Sequence, residues 1–192
     1  TGLARAGTDA PAGVAVDSWG VDYALLDRAG RLAGNPVHYR DSRTDGVMEK
    51  VFARVPRGEM FGTTGIQFMQ LNTVFQLAAM VFQKDPQLEA AETLLFTPDL
   101  FHYWLSGVKA NEYTMASTSQ MLDCRARDWA REMLARLGIP SRLLLPPTPP
   151  GTVLGEIRPG VAGDAGWSSR PPVIAGGSHD TASAVAAVPD LD

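Results

Sequence analysis

Short apolar runs alternate along the chain with stretches of helical periodicity. Val14 to Asp17, Val21 to Leu26 and Val173 to Ala175 are predicted strands, and we expect all three in one sheet. A further strand is predicted over Thr93 to Thr97, where Pro98 ends it. Strands that alternate with helices indicate an α/β fold.

Helices are predicted where apolar residues recur every three or four positions. The clearest runs from Thr73 to about Lys84, with Asn72 placed to cap it. Because this stretch is apolar on nearly all sides, we expect it to be deeply buried. Further helices are predicted from Pro98 to Leu105 and over the apolar face between Trp129 and Leu137.

The remaining segments contain more turn-forming or polar residues. Asp27 to Gly30 is a predicted reverse turn, after which Arg31 to Val37 continues the sheet. Asn111 to Cys124 is polar and compatible with a helix that Asn111 caps. Pro146 to Pro150 is predicted to be a rigid extended connector, and Gly160 to Pro172 a loop.

Composition excludes several classes of function. The 192 residues are 45% hydrophobic and 20% charged, with a net charge of −4, and they show no basic stripe for nucleic acid. Cys124 is the single cysteine, which excludes an internal disulfide or a cysteine-rich zinc site and fits a reducing cytoplasm. No apolar run approaches the roughly 20 residues that span a bilayer. Thr1 to Ala12 lacks the apolar core of a signal peptide, so we expect a cytoplasmic protein without a membrane partner.

The turn after the last predicted strand carries the most informative chemistry. Gly176 and Gly177 follow the strand, and Asp180 falls in the first turn of a predicted helix, where the helix dipole favours a carboxylate. Ligands of open α/β sheets lie at such strand ends. Asp180 is therefore either a general base beside a ligand or a helix cap. Ser178, His179 and Asp180 are consecutive and cannot form a hydrolase triad, whose members come from separate segments.

Other polar groups leave two interpretations open. The Asp17 to Gly20 turn is a phosphate-binding turn or an ordinary hairpin, and Trp19 is a platform for a sugar face or a core residue. Asn111 to Gln120 is a pocket wall or a capped surface helix. His38 and His102 have no partners at metal-ligand spacing and are interpreted as structural.

The charged loop after the first strands is equally ambiguous. Arg40, Asp41, Arg43 and Asp45 lie close together in the sequence. They form either a solvated loop with screened ion pairs or a buried Arg–Asp network that holds a pocket wall.

Taken in order, the polar runs resemble the FGGY family of carbohydrate kinases, and the similarity extends from about Val14 to Val188. The matching runs are Val16 to Tyr23, Pro36 to Thr44, Gly65 to Phe68, Ser106 with Gly107, Glu112 to Thr114, Ala116 to Thr118, Thr148 to Gly151, Gly155, and Ser178 to Val185. The Arg40 to Thr44 and Ser178 to Val185 runs are the most specific.

The resemblance implies a ribonuclease-H-like domain of the actin and hexokinase type. Residues 1–188 would be an incomplete sugar-binding first domain, lacking its first strands, and residues 189–192 would begin the interdomain region. The second domain would also be absent. The family's adenosine site belongs to that second domain. Its phosphate loop would have no counterpart here either, because the Asp17 turn aligns with the later sugar-site hairpin. Alone, the chain is expected to be inactive, to bind neither ATP nor Mg²⁺, and to self-associate through an exposed sheet edge.

The resemblance also assigns roles to residues. Asp180 would be the base that takes the proton from the attacking sugar hydroxyl, and no residue of the chain would bind the metal. The sugar would be bound by Trp19, Gly20, Gln67, Asn72, His179 and Thr181. In the complete enzyme, ATP with Mg²⁺ would phosphorylate L-rhamnulose at its primary hydroxyl, giving L-rhamnulose 1-phosphate. The alternatives are a kinase of fuculose or xylulose, or a sugar-binding domain without catalysis.

Overall fold

The structure is a computed structural model and describes residues 10–189. The predicted interdomain segment, 189–192, lies outside the described residues except for residue 189, as do residues 1–9 of the predicted domain. The helices are α1 (Val47–Phe52), α2 (Arg57–Thr64), α3 (Thr73–Gln83), α4 (Pro86–Ala90), α5 (Thr97–Ser106), α6 (Tyr113–Thr118), α7 (Arg131–Leu137), α8 (Pro159–Ala165) and α9 (Asp180–Ala186). The strands are β1 (Tyr23–Leu26), β2 (Thr93–Phe96), β3 (Asn111–Glu112), β4 (Leu122–Asp123), β5 (Asp128–Trp129), β6 (Pro147–Thr148), β7 (Thr152–Glu156) and β8 (Pro172–Ala175).

Strand β8 is paired along both of its edges. On one edge it runs antiparallel to β7, with Thr152 opposite Ala175. On the other edge the extended segment from Val14 to Ser18 runs parallel to the chain of β8, with bridges from Val14 to Val173 and from Ser18 to His179. This segment and β8 therefore end side by side, and the turn to α9 follows directly.

Strand β1 does not share hydrogen bonds with that sheet, contrary to the prediction of one sheet. It pairs with β2 in an antiparallel ladder in which Tyr23 lies opposite Phe96. The reason is the turn before it, where the Asp22 amide donates to the Gly20 carbonyl and Val21 takes a left-handed φ of 71°. This turn changes the direction of the chain between the Val14–Ser18 segment and β1. The two predicted strands therefore pair with different partners, β8 and β2.

The main core surrounds α3, as its apolar composition predicted. Thr73 to Met80 are all buried, and Lys84 ends the helix in a left-handed conformation. Fully buried side chains that pack in this core are Val51, Val55, Met60, Val74, Phe75, Leu77, Leu94, Phe96, Met115, Met121, Leu134, Leu137 and Leu143. Burial of each apolar side chain of this size contributes about 1.5–3 kcal/mol to the stability of the fold. This core therefore holds the surrounding helices and strands in place.

Two local predictions were wrong: the helix capped by Asn111 and the loop from Gly160 to Pro172. The polar stretch Asn111 to Cys124 divides into β3, α6 and β4. Asn111 does not cap a helix, because its side chain is bound elsewhere. Its Nδ2 donates to the Leu94 carbonyl at 2.9 Å, and its Oδ1 accepts from the Leu145 backbone amide at 3.0 Å. The predicted loop from Gly160 to Pro172 contains most of α8, which begins at Pro159.

The ends of the predicted first sheet also differ from expectation. The reverse turn from Asp27 to Gly30 is present, but Arg31 to Val37 contributes only an isolated bridge between Leu26 and Leu32. Within the predicted proline connector, β6 forms a short parallel pair with β3.

In residues 10–189, no helix combines the length and apolar character that a membrane crossing requires.

Candidate functional site

A cleft of about 470 Å³ opens where the Val14–Ser18 segment and β8 end. It brings together residues from the first turn, the charged loop, the segment before α3, helix α6 and the turn before α9. The lining residues are Trp19, Gly20, Val21, Tyr39, Arg40, Ile66, Met69, Leu71, Asn72, Ser117, Thr118 and His179. Four residues predicted to bind a sugar are therefore gathered in one cleft, although they are widely separated in sequence.

The predicted base lies beside this cleft at the beginning of α9. Asp180 immediately follows the lining residue His179. The distance from His179 Nε2 to Asp180 Oδ1 is 3.4 Å, and the Asp180 side chain is 54% exposed. The same Oδ1 accepts from the Thr181 amide at 2.6 Å and from the Thr181 hydroxyl at 3.2 Å. The Asp180 amide donates to the Ser18 carbonyl, which ties the turn to the neighbouring segment. The carboxylate thus has one oxygen oriented by its own turn and remains open to solvent.

Gly20 is required by a close backbone approach. A Cβ placed on Gly20 would lie 2.9 Å from three side-chain atoms of Thr118. Its neighbour Val21 has a left-handed φ of 71°, which is costly for a β-branched residue. Three side chains hold Val21 there, because its amide donates to the Thr118 hydroxyl and its carbonyl accepts from Thr73 and Gln76. The wall of the cleft at this point is therefore preorganised by buried hydrogen bonds.

Asn72 and Gln67 contribute to the site in different ways. Asn72 is the residue before α3, yet its side chain makes no capping hydrogen bond, contrary to the prediction. Its amide nitrogen instead donates to the Gln67 carbonyl and to Gln120 Oε1, both at 2.9 Å. The Gln67 side chain is exposed and does not line the cleft. The buried Asn72 Oδ1 has no hydrogen-bond partner, so one polar atom at this wall is unsatisfied.

The charged loop matches neither interpretation completely, because the four charged side chains form no ion pair with one another in the described part of the chain. Asp41 caps a short 3₁₀ turn over Ser42–Thr44, as a loop residue would. Arg43 instead points inward and donates to Gln76 Oε1 at 2.8 Å. Arg40 lines the cleft and places a positive charge at its wall.

Trp19 is a surface aromatic rather than a core residue. Its side chain is 47% exposed, and its indole N–H donates to Asp22 Oδ2 at 2.9 Å. Asp22 is buried, and burial raises the pKa of its carboxyl while the Trp19 hydrogen bond acts in the opposite direction. The aromatic face at the cleft is therefore held by a buried carboxylate.

The raised pKa of Asp22 predicts a pH-dependent contribution to stability. Above the ordinary pKa of 3.8, the folded chain retains this proton longer than the unfolded chain. The contribution of Asp22 to the free energy of unfolding is therefore largest below that value and is lost as the pH rises through the raised pKa. Urea unfolding of wild type and Asp22→Asn from pH 3.5 to 7.5 measures it. We expect the wild-type free energy to decline relative to the variant, whereas the exposed Asp164→Asn control should follow the wild type.

Glu112 lies in one of the runs that carry the resemblance, but the sequence assigned no role to it. It is buried and caps α6, accepting from the amides of Thr114 and Met115. Glu is not among the usual N-cap residues, so the local sequence pointed to Asn111 instead. His102 is structural, as predicted: it is buried, and its Nε2 accepts from the Val16 amide at 3.0 Å.

Comparison with known proteins identifies the family of the chain. The N-terminal domain of the FGGY family of carbohydrate kinases matches residues 4–187. The chain belongs to the FGGY family. Its similarity to the rhamnulokinase of Pectobacterium atrosepticum is 45% identity over 184 residues, which is 94% of this chain and 35% of that protein. The rhamnulokinase of Yersinia pestis bv. Antiqua (strain Angola) is 41% identical over 93% of this chain and 36% of its own length. The chain thus spans about a third of the curated relatives it matches.

Solved structures confirm the sugar-kinase fold. A carbohydrate kinase from Novosphingobium aromaticivorans is 29% identical, with a TM-score of 0.80 over 95% of this chain and 38% of that one. The xylulose kinase from Rhodospirillum rubrum, at 22% identity, has a TM-score of 0.83 over 93% and 38% of the two chains. The second likeness shows the fold alone. Both agree with the α/β fold of the actin and hexokinase type that the resemblance implied.

Proposed function

We propose that this FGGY-family chain forms the sugar site and supplies the general base of an ATP-dependent sugar kinase. The observation that carries the proposal is the position of Asp180 next to the cleft-lining His179, at the end of β8. Its exposed carboxylate can accept a proton from a hydroxyl of a sugar bound in the cleft. Trp19 offers an aromatic face for the apolar side of a sugar, and Arg40, Asn72 and Thr118 offer polar contacts.

In this mechanism the chain's residues position the sugar and remove one proton. The deprotonated hydroxyl oxygen is then the nucleophile toward phosphorus, and ATP with Mg²⁺ would supply the phosphoryl group when bound. Among residues 10–189, no group of three His, Cys, Asp or Glu side chains is arranged to hold a metal. We therefore assign no Mg²⁺ ligand among the residues described. Self-association through an exposed sheet edge stays a prediction.

We further propose that the sugar is L-rhamnulose, which becomes L-rhamnulose 1-phosphate. The support is the rhamnulokinase name of the relatives, which are 41–45% identical over 93–94% of this chain. Steady-state kinetics of the complete kinase with L-rhamnulose, xylulose and fuculose tests this. We expect kcat/KM to be highest for L-rhamnulose by at least about tenfold, which corresponds to roughly 1.4 kcal/mol of transition-state binding. A higher value for either other ketose would contradict the assignment of the sugar, and phosphorylation of none of the three would contradict the kinase proposal.

A further inference from the structure

Three ionisable side chains are buried together behind the turn that carries Asp180. Asp99, His102 and Glu112 are all 0% exposed. Burying ionisable groups is unfavourable unless hydrogen bonds compensate for the lost water, and such groups are concentrated at functional sites. Burial raises the pKa of Asp99, in agreement with this cost. None of the three lines the cleft, so direct sugar contact does not account for them.

The hydrogen bonds of the cluster connect α5 to the ends of the paired segments. His102 Nε2 accepts from the Val16 amide at 3.0 Å. The Asp99 carboxylate accepts from the Glu112 amide at 3.2 and 3.3 Å, and its Oδ1 lies 3.9 Å from His102 Nδ1. Asp99 therefore fixes the backbone of Glu112, while His102 fixes the backbone of the Val14–Ser18 segment.

The Glu112 carboxylate then reaches the turn before α9. It accepts from the Thr114 amide at 2.8 Å, the Met115 amide at 3.0 Å and the Ser178 amide at 3.3 Å. The Thr114 hydroxyl donates to Glu112 Oε2 at 2.5 Å. That hydroxyl also accepts from the His179 amide at 3.1 Å. Two successive amides of the turn, those of Ser178 and His179, are thus bound to Glu112 directly or through one hydroxyl.

From these contacts we propose that Glu112, acting through the Thr114 hydroxyl, is a positioning residue that sets the direction of the Asp180 carboxylate. The inference rests on the proposed role of Asp180 as the base. The Asp180 amide also donates to the Ser18 carbonyl, so the backbone of the turn is bound to a second segment as well. Without the Thr114 hydroxyl, the His179 amide has no acceptor on the Glu112 side. A displacement near 1 Å at a reacting group can lower the rate by about 10²-fold.

The test compares Thr114→Val, which removes the hydroxyl at nearly constant volume, with Thr114→Ser, which keeps it. The matched control is Thr152→Val in β7, whose hydroxyl donates to the Pro149 carbonyl outside the cluster. Each variant is made in the complete kinase, and kcat and sugar KM are measured with L-rhamnulose and ATP. Hydrogen exchange of the segment 176–186, followed by mass spectrometry, reports the backbone of the turn independently of activity.

We expect Thr114→Val to lower kcat at least about tenfold, with sugar KM changed less than about threefold, because a base acts in the transition state. Exchange of the 176–186 segment should become faster. Thr114→Ser should recover most of kcat and the protection, and Thr152→Val should match the wild type in both. An unchanged kcat in Thr114→Val, or a raised KM alone, would overturn the positioning role. Full activity of an Asp180→Asn variant in the same assays would instead show that the proposed base is wrong.

Discussion

Replacing Asp180 by Asn in the complete kinase is expected to lower kcat by about 10²- to 10⁴-fold, the usual effect of losing a general base. Asn has the same shape and can still accept the hydrogen bonds that Thr181 donates to Asp180 Oδ1. Folding and sugar KM should therefore remain close to those of the wild type. Steady-state kinetics with L-rhamnulose, together with sugar binding by calorimetry, separates the lost chemical step from lost affinity.

The alternative role of Asp180 as a simple helix cap predicts a different pattern. Asn caps a helix about as well as Asp, so in that role the substitution would change neither stability nor kcat appreciably. Near-normal kcat in Asp180→Asn would therefore show that this carboxylate is not the base. Asp164→Asn in α8 is the matched control, because Asp164 is exposed and does not line the cleft. It should match the wild type in both assays.

Replacing Phe75 by Ala is expected to lower the free energy of unfolding by about 3–5 kcal/mol. Phe75 is fully buried in α3, and its ring meets Phe52 edge to face with centroids 6.0 Å apart. Truncation removes the apolar area and leaves a cavity that a close-packed core fills only in part. Urea denaturation followed by circular dichroism measures the change.

Phe61→Ala is the control for this prediction, because Phe61 is 53% exposed. Its loss of stability should stay below about 1 kcal/mol, since little area is buried there. Equal losses for the two variants would contradict the assignment of α3 to the core. The same helix carries Thr73 and Gln76, which hold the carbonyl of Val21, so Phe75→Ala should also loosen that wall of the cleft.

Local sequence was sufficient where one physical effect dominates. The apolar stretch of α3 could not be placed anywhere but in the interior, and the hydrophobic effect alone decides this. Helices α5 and α7 end where Gly107 and Gly138 take the left-handed conformation that glycine adopts easily. The Ser178 to Val185 run likewise indicated the family through residues adjacent in sequence, and the family match agrees.

Local sequence was insufficient where a polar side chain has two possible partners. Asn111 has the composition of a cap, yet its amide bonds to Leu94 and Leu145, which lie in distant segments. Glu112 has no local signal for its role, because one of its amide partners, Ser178, is 66 positions away. The choice between such partners depends on long-range distances, and a pattern of neighbouring residues does not contain them.

The sequence by itself determined the α/β class, the buried helix α3 and the candidate base at the end of the last strand, because each depends on burial or on adjacent residues. Tertiary structure alone decided which strands pair, that Arg43 turns inward while Arg40 lines the cleft, and that Trp19 lies at the surface. It also decided that Glu112 holds the turn next to Asp180. Hydrogen bonds form only between groups that the packed core has already brought within about 3 Å, and that proximity is a property of the whole fold.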